Sequence, residues 1–199
     1  MILDFNHDYV LENERVLLRP LKWGDRQHLV PFSLNEPTIW KFSLQGAQGD
    51  ENLDKYLQLA LDGRAKQTEY PFIVFDKQTQ RYAGSTRFYD IQLAYDTLQL
   101  GYTWYGKDFQ RTGINRNCKY LLLQFAFEQL RAERVEFRAD NLNERSIAAM
   151  KAIGCKVEGV LRSNMPTATG ERRRDSIVLS ILKDEWEKEV KELLWSMIK

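Results

Sequence analysis

Metal ligands and nucleophilic pairs are scarce in this sequence. Its only histidines are His7 and His28, and its only cysteines are Cys118 and Cys155. Neither pair has metal-ligand spacing, so no zinc site is expected. Two distant thiols in 199 residues do not make a disulfide scaffold, and they fit a reducing cytoplasm. Cys118 has no histidine nearby in sequence, so a buried core thiol is expected there rather than a nucleophile. The same applies to Cys155.

Long apolar runs are also missing. No window approaches the roughly 20 residues needed to span a bilayer, so no membrane partner is expected. The opening Met1-Ile2-Leu3-Asp4-Phe5-Asn6 has no basic segment followed by an apolar stretch, so no signal peptide is expected. Excess charge of one sign is lacking too. A net charge of +1 argues against a large nucleic-acid footprint. The absence of a Pro/Gly/Ser linker, a repeat or a low-complexity stretch leaves one domain over 1–199.

What is present suits an ordinary soluble core, with 43% hydrophobic and 29% charged residues. Residues 15–21 read as a strand. A short helix near Asp25 is expected to end before Pro31. Irregular chain follows around Pro37, Trp40 and Gly46. Asp50 to Lys66 has helical spacing, with Asp50 as its N-cap. Three strands follow at Tyr70–Asp76, Arg81–Ile91 and Tyr95–Trp104, as an antiparallel meander. A turn over Gln110–Asn115 leads into an amphipathic helix, Ile114–Leu130, with Cys118, Leu121, Leu122, Phe125 and Ala126 on one stripe. A strand at Arg134–Ala139 precedes a helix over Asn143–Ile153, which Gly154 ends. Strands at Val157–Leu161 and Ser176–Leu182 and a helix over Asp184–Ile198 complete the chain. The order is that of an α/β (α+β) fold with one mixed, mostly antiparallel sheet flanked by helices.

Two stretches carry chemistry. Residues 98–130 run strand, turn, helix, with Gln110-Arg111-Thr112-Gly113-Ile114-Asn115 at the turn. Free N–H groups at a helix start and the helix dipole make an anion site, and Gly113 allows close approach of a phosphate. A plain glycine turn is the competing reading. No Gly-Lys-Ser/Thr follows and no Gly-x-Gly-x-x-Gly precedes, so nucleotide hydrolysis and hydride transfer lose support. The second stretch, residues 134–162, contains Asn143-x-x-Ser146 and Ile153-Gly154-x-x-x-Glu158-Gly159.

Together these motifs resemble the GNAT superfamily of N-acetyltransferases. The wording is similar to the branch typified by ribosomal-protein N-terminal acetyltransferases of the RimJ/RimL type. The resemblance runs from about Arg15 to Trp186. It implies a GNAT fold whose central strands splay apart. It also implies acetyl-CoA as co-substrate and acetyl transfer to a primary amine, either a protein N-terminus or a small molecule, by direct attack in a ternary complex. Arg111, Thr112, Gly113, Ile114 and Asn115 match the family's pyrophosphate turn, although Asn115 stands where Gly or Ala is commoner. Leu100, Gly101, Tyr102 and Thr103 match the strand beside the pantetheine arm, and the Tyr102 main chain would contact the oxyanion. Gly101 also reads as a simple bulge.

Asn143 matches a coenzyme-arm contact and equally reads as a helix N-cap. Ser146 matches the branch's candidate acid for the departing thiolate, and also reads as an ordinary first-turn serine. Met150 stands where many relatives have a tyrosine. Gln99 stands where many have a glutamate base, and it cannot accept a proton. Glu136, Asp140, Asp90 and Glu69 remain as alternatives. Gln99 and Met150 together support a second reading, a non-catalytic acyl-CoA-binding or regulatory module. Trp23, Trp40 and Phe42 are expected in the core, with Trp40 near the acceptor. Arg172–Arg174 reads as a solvated hairpin or as a contact for an acidic acceptor or the adenosine 3′-phosphate. The last helix offers an apolar face for a homodimer.

Overall fold

Eight strands make one sheet in the computed structural model of the chain, which describes all 199 residues. The strands are β1 (Leu11–Glu12), β2 (Val16–Pro20), β3 (Tyr70–Asp76), β4 (Arg81–Gln92), β5 (Thr97–Tyr105), β6 (Arg134–Asp140), β7 (Lys156–Pro166) and β8 (Arg173–Leu182). Their order across the sheet is β1-β2-β3-β4-β5-β6-β8-β7. Every pairing is antiparallel except β5 with β6. The expected mixed, mostly antiparallel sheet is therefore present. The parallel pair needs a long crossover, and the helix α3 (Ile114–Gln124) supplies it.

The β5–β6 pairing is brief. It joins Thr97 to Arg134, Leu98 to Val135 and Gln99 to Glu136, and then stops. From Leu100 and Phe137 onward the two strands diverge, although β5 runs to Tyr105 and β6 to Asp140. Each keeps its outer partner, β4 on one side and β8 on the other. The sheet is thus split at its centre.

Helices cover the two faces. α1 (Arg26–Asn35) and α2 (Asp50–Ala65) pack on each other and on β3 and β4. α3 lies on the opposite face, where Lys119 sits 5.3 Å over the Phe137 ring of β6. α4 (Glu144–Ala152) also packs on β6, and α6 (Lys191–Ser196) packs on α3. One cluster of 49 buried residues joins the layers. Each fully buried Leu or Phe in it contributes roughly 1.5–3 kcal/mol.

Several boundaries differ from those expected. α1 continues through Pro31 to Asn35. The carbonyl that loses its partner there belongs to exposed Gln27 and faces water, while buried Leu29, Phe32 and Ser33 hold the helix down. Gly49, not Asp50, is the N-cap of α2, at φ +80°. The helix expected over Ile114–Leu130 changes pitch, with a π-helical turn at Phe125–Gln129. That wider turn lets Phe125 stack on Phe88 at 6.3 Å and Phe127 on Trp186 at 5.7 Å. A second π-helical turn, Trp186–Val190, joins α5 (Lys183–Glu185) to α6. The β7–β8 hairpin reaches Pro166 and Arg173, beyond the apolar stretches, because its tip is polar and exposed. β1 is only two residues long and left no pattern. Trp23 is 46% exposed, so it does not join the core, whereas Trp40 packs there against Trp104 at 5.1 Å. Most of the last helix's apolar side faces inward, with Trp186, Val190 and Leu194 buried and only Leu193 and Trp195 substantially exposed.

Candidate active site

The turn before α3 is built to present main-chain N–H groups. Arg111 and Gly113 both take left-handed conformations, at φ +65° and φ +90°. Alternation of this kind turns successive amides toward one side, forming an anion-binding concavity. Six consecutive amides, from Arg111 to Arg116, donate to no acceptor in the protein. The first bond of the helix is from the Asn117 N–H to the Gly113 carbonyl, at 3.1 Å. The turn is held from outside that concavity. The Thr112 hydroxyl donates to the Phe109 carbonyl at 2.7 Å, Gln110 Nε2 to the Tyr105 carbonyl at 2.9 Å, and Asn117 Nδ2 to the Gly113 carbonyl at 3.1 Å. A residue with a side chain at 113 would meet nothing closer than 4.0 Å, so the need for glycine there is conformational.

The second motif meets the first. Arg145 Nη1 donates to Gln110 Oε1 at 2.8 Å and ties the start of α4 to the turn. Asn143 caps α4, its Oδ1 accepting from the Ser146 N–H at 3.1 Å. Its Nδ2 donates to nothing in the chain. The Ser146 side chain is half-buried and its hydroxyl has no protein partner. Arg145 was not among the residues singled out by sequence. A charged residue in a helix's first turn gives no local signal of such a link.

The split in the sheet carries the other candidates. Leu100 is buried, and Tyr102 sits at φ +49° in a bulge where β5 slips against β4. The bulge is thus centred on Tyr102 rather than Gly101. Gly101 answers a different need, because a Cβ there would lie 2.8 Å from the Tyr89 ring. Below the split, Gln99 is 5% exposed and pairs across to Glu136. Gln99 Nε2 donates to Asp90 Oδ2 at 2.6 Å, and Gln99 Oε1 has no donor. Asp90 occupies a second bulge, at φ +46°.

The four alternative carboxylates are all engaged. Glu136 accepts from Arg138 Nε at 2.6 Å and from Arg134 Nη2 at 3.0 Å. Asp140 accepts from Arg172 and from the Leu142 N–H. Glu69 accepts from Arg87 Nη1 at 2.5 Å. Asp90 binds only amides, those of Gln99 and Gln92.

Both thiols are buried and free, and burial pushes each up to about 12. Neither is a nucleophile at neutral pH. Burial lowers Lys119 to about 8, and its Nζ donates to Thr103 Oγ1 at 3.2 Å behind the split. Of the three consecutive arginines, Arg172 pairs with Asp140, Arg173 binds Ser163 and is exposed, and Arg174 is buried. The run is therefore not a uniform solvated hairpin.

The sequence and the fold are similar to those of known proteins. The profile of the Acetyltransferase (GNAT) domain matches residues 15–156. YdaF of Bacillus subtilis, a candidate ribosomal N-acetyltransferase, is 27% identical over 183 residues, which cover 89% of this chain and 96% of YdaF. A GCN5-related N-acetyltransferase from Brucella melitensis superposes with a TM-score of 0.88 at 22% identity, covering 98% of this chain and 88% of that one. The ribosomal-protein-S5-alanine acetyltransferase of Vibrio fischeri superposes at 0.72 with 20% identity, covering 90% and 99%. The profile match spans most of the chain, from β2 to the start of β7, and so includes both the free-amide turn and the split strands. The chain is an N-acetyltransferase of the GNAT family.

Proposed function

We propose that the protein transfers an acetyl group from acetyl-CoA to a primary amine by direct attack. The observation that carries this reading is the row of six free amides, Arg111 to Arg116, opening beside a sheet that splits at Gln99 and Glu136. A diphosphate fits such a row of donors. The residues that would hold it are Arg111, Thr112, Gly113, Ile114 and Asn115, through their main chain. Leu100 and Tyr102 line the gap that would take the arm, and Asn143 Nδ2 is free to donate to it. The bound coenzyme supplies the activated acyl group.

The chain's own part is placement and proton handling. A main-chain N–H at the Tyr102 bulge would polarise the acyl carbonyl. The Ser146 hydroxyl, free of any protein partner, would hand a proton to the departing thiolate and be reprotonated by the proton the amine releases. Gln99 cannot remove a proton from the amine, and each nearby carboxylate is already engaged. The amine therefore reacts as its neutral form, and its surplus proton leaves with the thiol. Relatives named for ribosomal proteins make a protein N-terminus one acceptor class, with small amines as the other.

Incubation with acetyl-CoA and a panel of amines and peptides, scored as free thiol released, tests this. Turnover is expected with at least one acceptor. Coenzyme binding by calorimetry without turnover on any acceptor would favour the non-catalytic module instead.

A further inference from the structure

The gap between β5 and β6 opens on two faces. The phosphate-binding turn lies at the start of α3, on one face. In a ternary complex the amine must then arrive from the other face, which carries α1 and α2. Resting on the function proposed above, the chemistry of that second face reports on the acceptor.

Two buried guanidinium groups stand there. Arg87 on β4 is 1% exposed and pairs in register with Gly101 beside the split. It lies between two rings, with Tyr56 4.8 Å and Tyr102 4.1 Å from its central carbon. Its Nη1 is taken by Glu69. Its Nε and Nη2 are buried and have no partner. Those two atoms form one edge of the guanidinium, the edge that grips a carboxylate with two parallel hydrogen bonds. A buried donor pair left empty is costly, so the fold keeps it at the expense of stability.

Arg174 on β8 is the second. It shares a sheet face with Asp140 and Ser176, at the wide end of the gap, and is 4% exposed. Its Nε donates to Ser176 Oγ at 3.1 Å, and it has no carboxylate within ion-pair distance. Tyr102 lies in the field of both arginines. Its hydroxyl makes no hydrogen bond, so stacking alone holds it over Arg87.

The charges here are not all paired. Arg87 is matched by Glu69 and Arg172 by Asp140, while Arg174 has no carboxylate partner of its own and Asp90, at the base of the split, has no cation. The empty Nε/Nη2 edge of Arg87 matches the two coplanar oxygens of a carboxylate. We infer that the acceptor is a primary amine bearing a carboxylate, gripped by the Nε/Nη2 edge of Arg87 with Arg174 facing it across the gap. A free amino acid and a peptide with an acidic residue next to its N-terminus share this chemistry.

The test compares kcat/KM for matched peptides with Asp, Asn or Lys at the second position. Glutamate, phosphoethanolamine and spermidine extend the set. Carboxylate acceptors are expected to exceed their neutral partners at least tenfold, and the peptide and glutamate arms separate the two sources. Arg87→Lys keeps the charge and loses the fork, and Arg174→Gln removes the positive charge that faces it. Each is expected to cut the carboxylate preference, read as the ratio of kcat/KM for the Asp and Asn peptides, by about tenfold or more. Thermal midpoint and coenzyme binding report folding, and if Arg87→Lys fails to fold, Arg174→Gln carries the comparison. Equal rates for Asp and Asn acceptors, preference for spermidine or phosphoethanolamine, or equal loss on all acceptors in the folded variants would overturn the inference while leaving acetyl transfer intact. No turnover with any acceptor would overturn both.

Discussion

Gln99 donates its Nε2–H to Asp90 Oδ2 at 2.6 Å, and this fixes which way the amide points. An ionised carboxylate only accepts. The amide nitrogen must therefore face Asp90, and Oε1 must face away, where no protein donor meets it. Gln99 offers an acceptor to an incoming N–H and no basic site.

The pH dependence of kcat/KM follows from that. With no protein base, the rising limb belongs to the acceptor, and it moves when the acceptor's own amine pKa changes. Two acceptors whose amines differ by about one unit should give limbs displaced by the same amount. A limb that stays put across acceptors would reveal a titrating protein group. Gln99→Glu sets a second carboxylate against Asp90, and the like charges raise the pair's apparent pKa. That variant should show an acceptor-independent limb.

Ser146→Ala separates the serine's two readings. If its hydroxyl assists the thiol, kcat falls by on the order of 10²-fold while coenzyme affinity holds. The cap of α4 uses the Ser146 main-chain N–H, not its hydroxyl, so the helix survives the change. Steady-state kinetics with calorimetric coenzyme binding decides it. A kcat within about twofold of wild type would make Ser146 an ordinary first-turn residue.

Gly113→Ala has open space around it yet must hold φ +90°. The strain is about 1 kcal/mol, or more if the turn cannot relax. Coenzyme affinity should drop roughly fivefold or more, with the thermal midpoint lowered by a few degrees. Unchanged affinity would show that the turn does not grip the ligand.

Lys119→Met tests the buried amine. Burial lowers the folded-state pKa to about 8 from 10.5, so the charged form is penalised in the folded chain. For a depressed pKa, the stability is present above the unfolded value and is lost as pH falls through the folded one. Wild type should gain relative to the variant between pH 8 and 10.5. At pH 7 the methionine variant should be more stable by roughly 1–3 kcal/mol. Urea melts at pH 7 and pH 10 measure this. A variant less stable at pH 7 would assign Lys119 a favourable partner.

The sequence made some parts legible for clear reasons. Tyr70–Asp76 was bounded to the residue because a continuous apolar run met turn residues on both sides. The turn at Gly113 and the cap at Asn143 were readable because both are local devices. The helix through Pro31 was not, because tertiary burial of Leu29 and Phe32 outweighs one missing hydrogen bond. The hairpin tip at Arg173 was hidden for another reason: edge strands in water need no apolar alternation. Long-range partners were also out of reach. Arg145 with Gln110, Gln99 with Asp90, and Arg87 between Tyr56 and Tyr102 all depend on folding.

The most direct measurement is a titration of isotope-labelled protein with coenzyme A, following each main-chain amide by NMR. The amides of Arg111–Arg116 and of Leu100–Thr103 should shift most and saturate together. Saturable binding that leaves both groups of amides unmoved would place the ligand elsewhere and contradict the account.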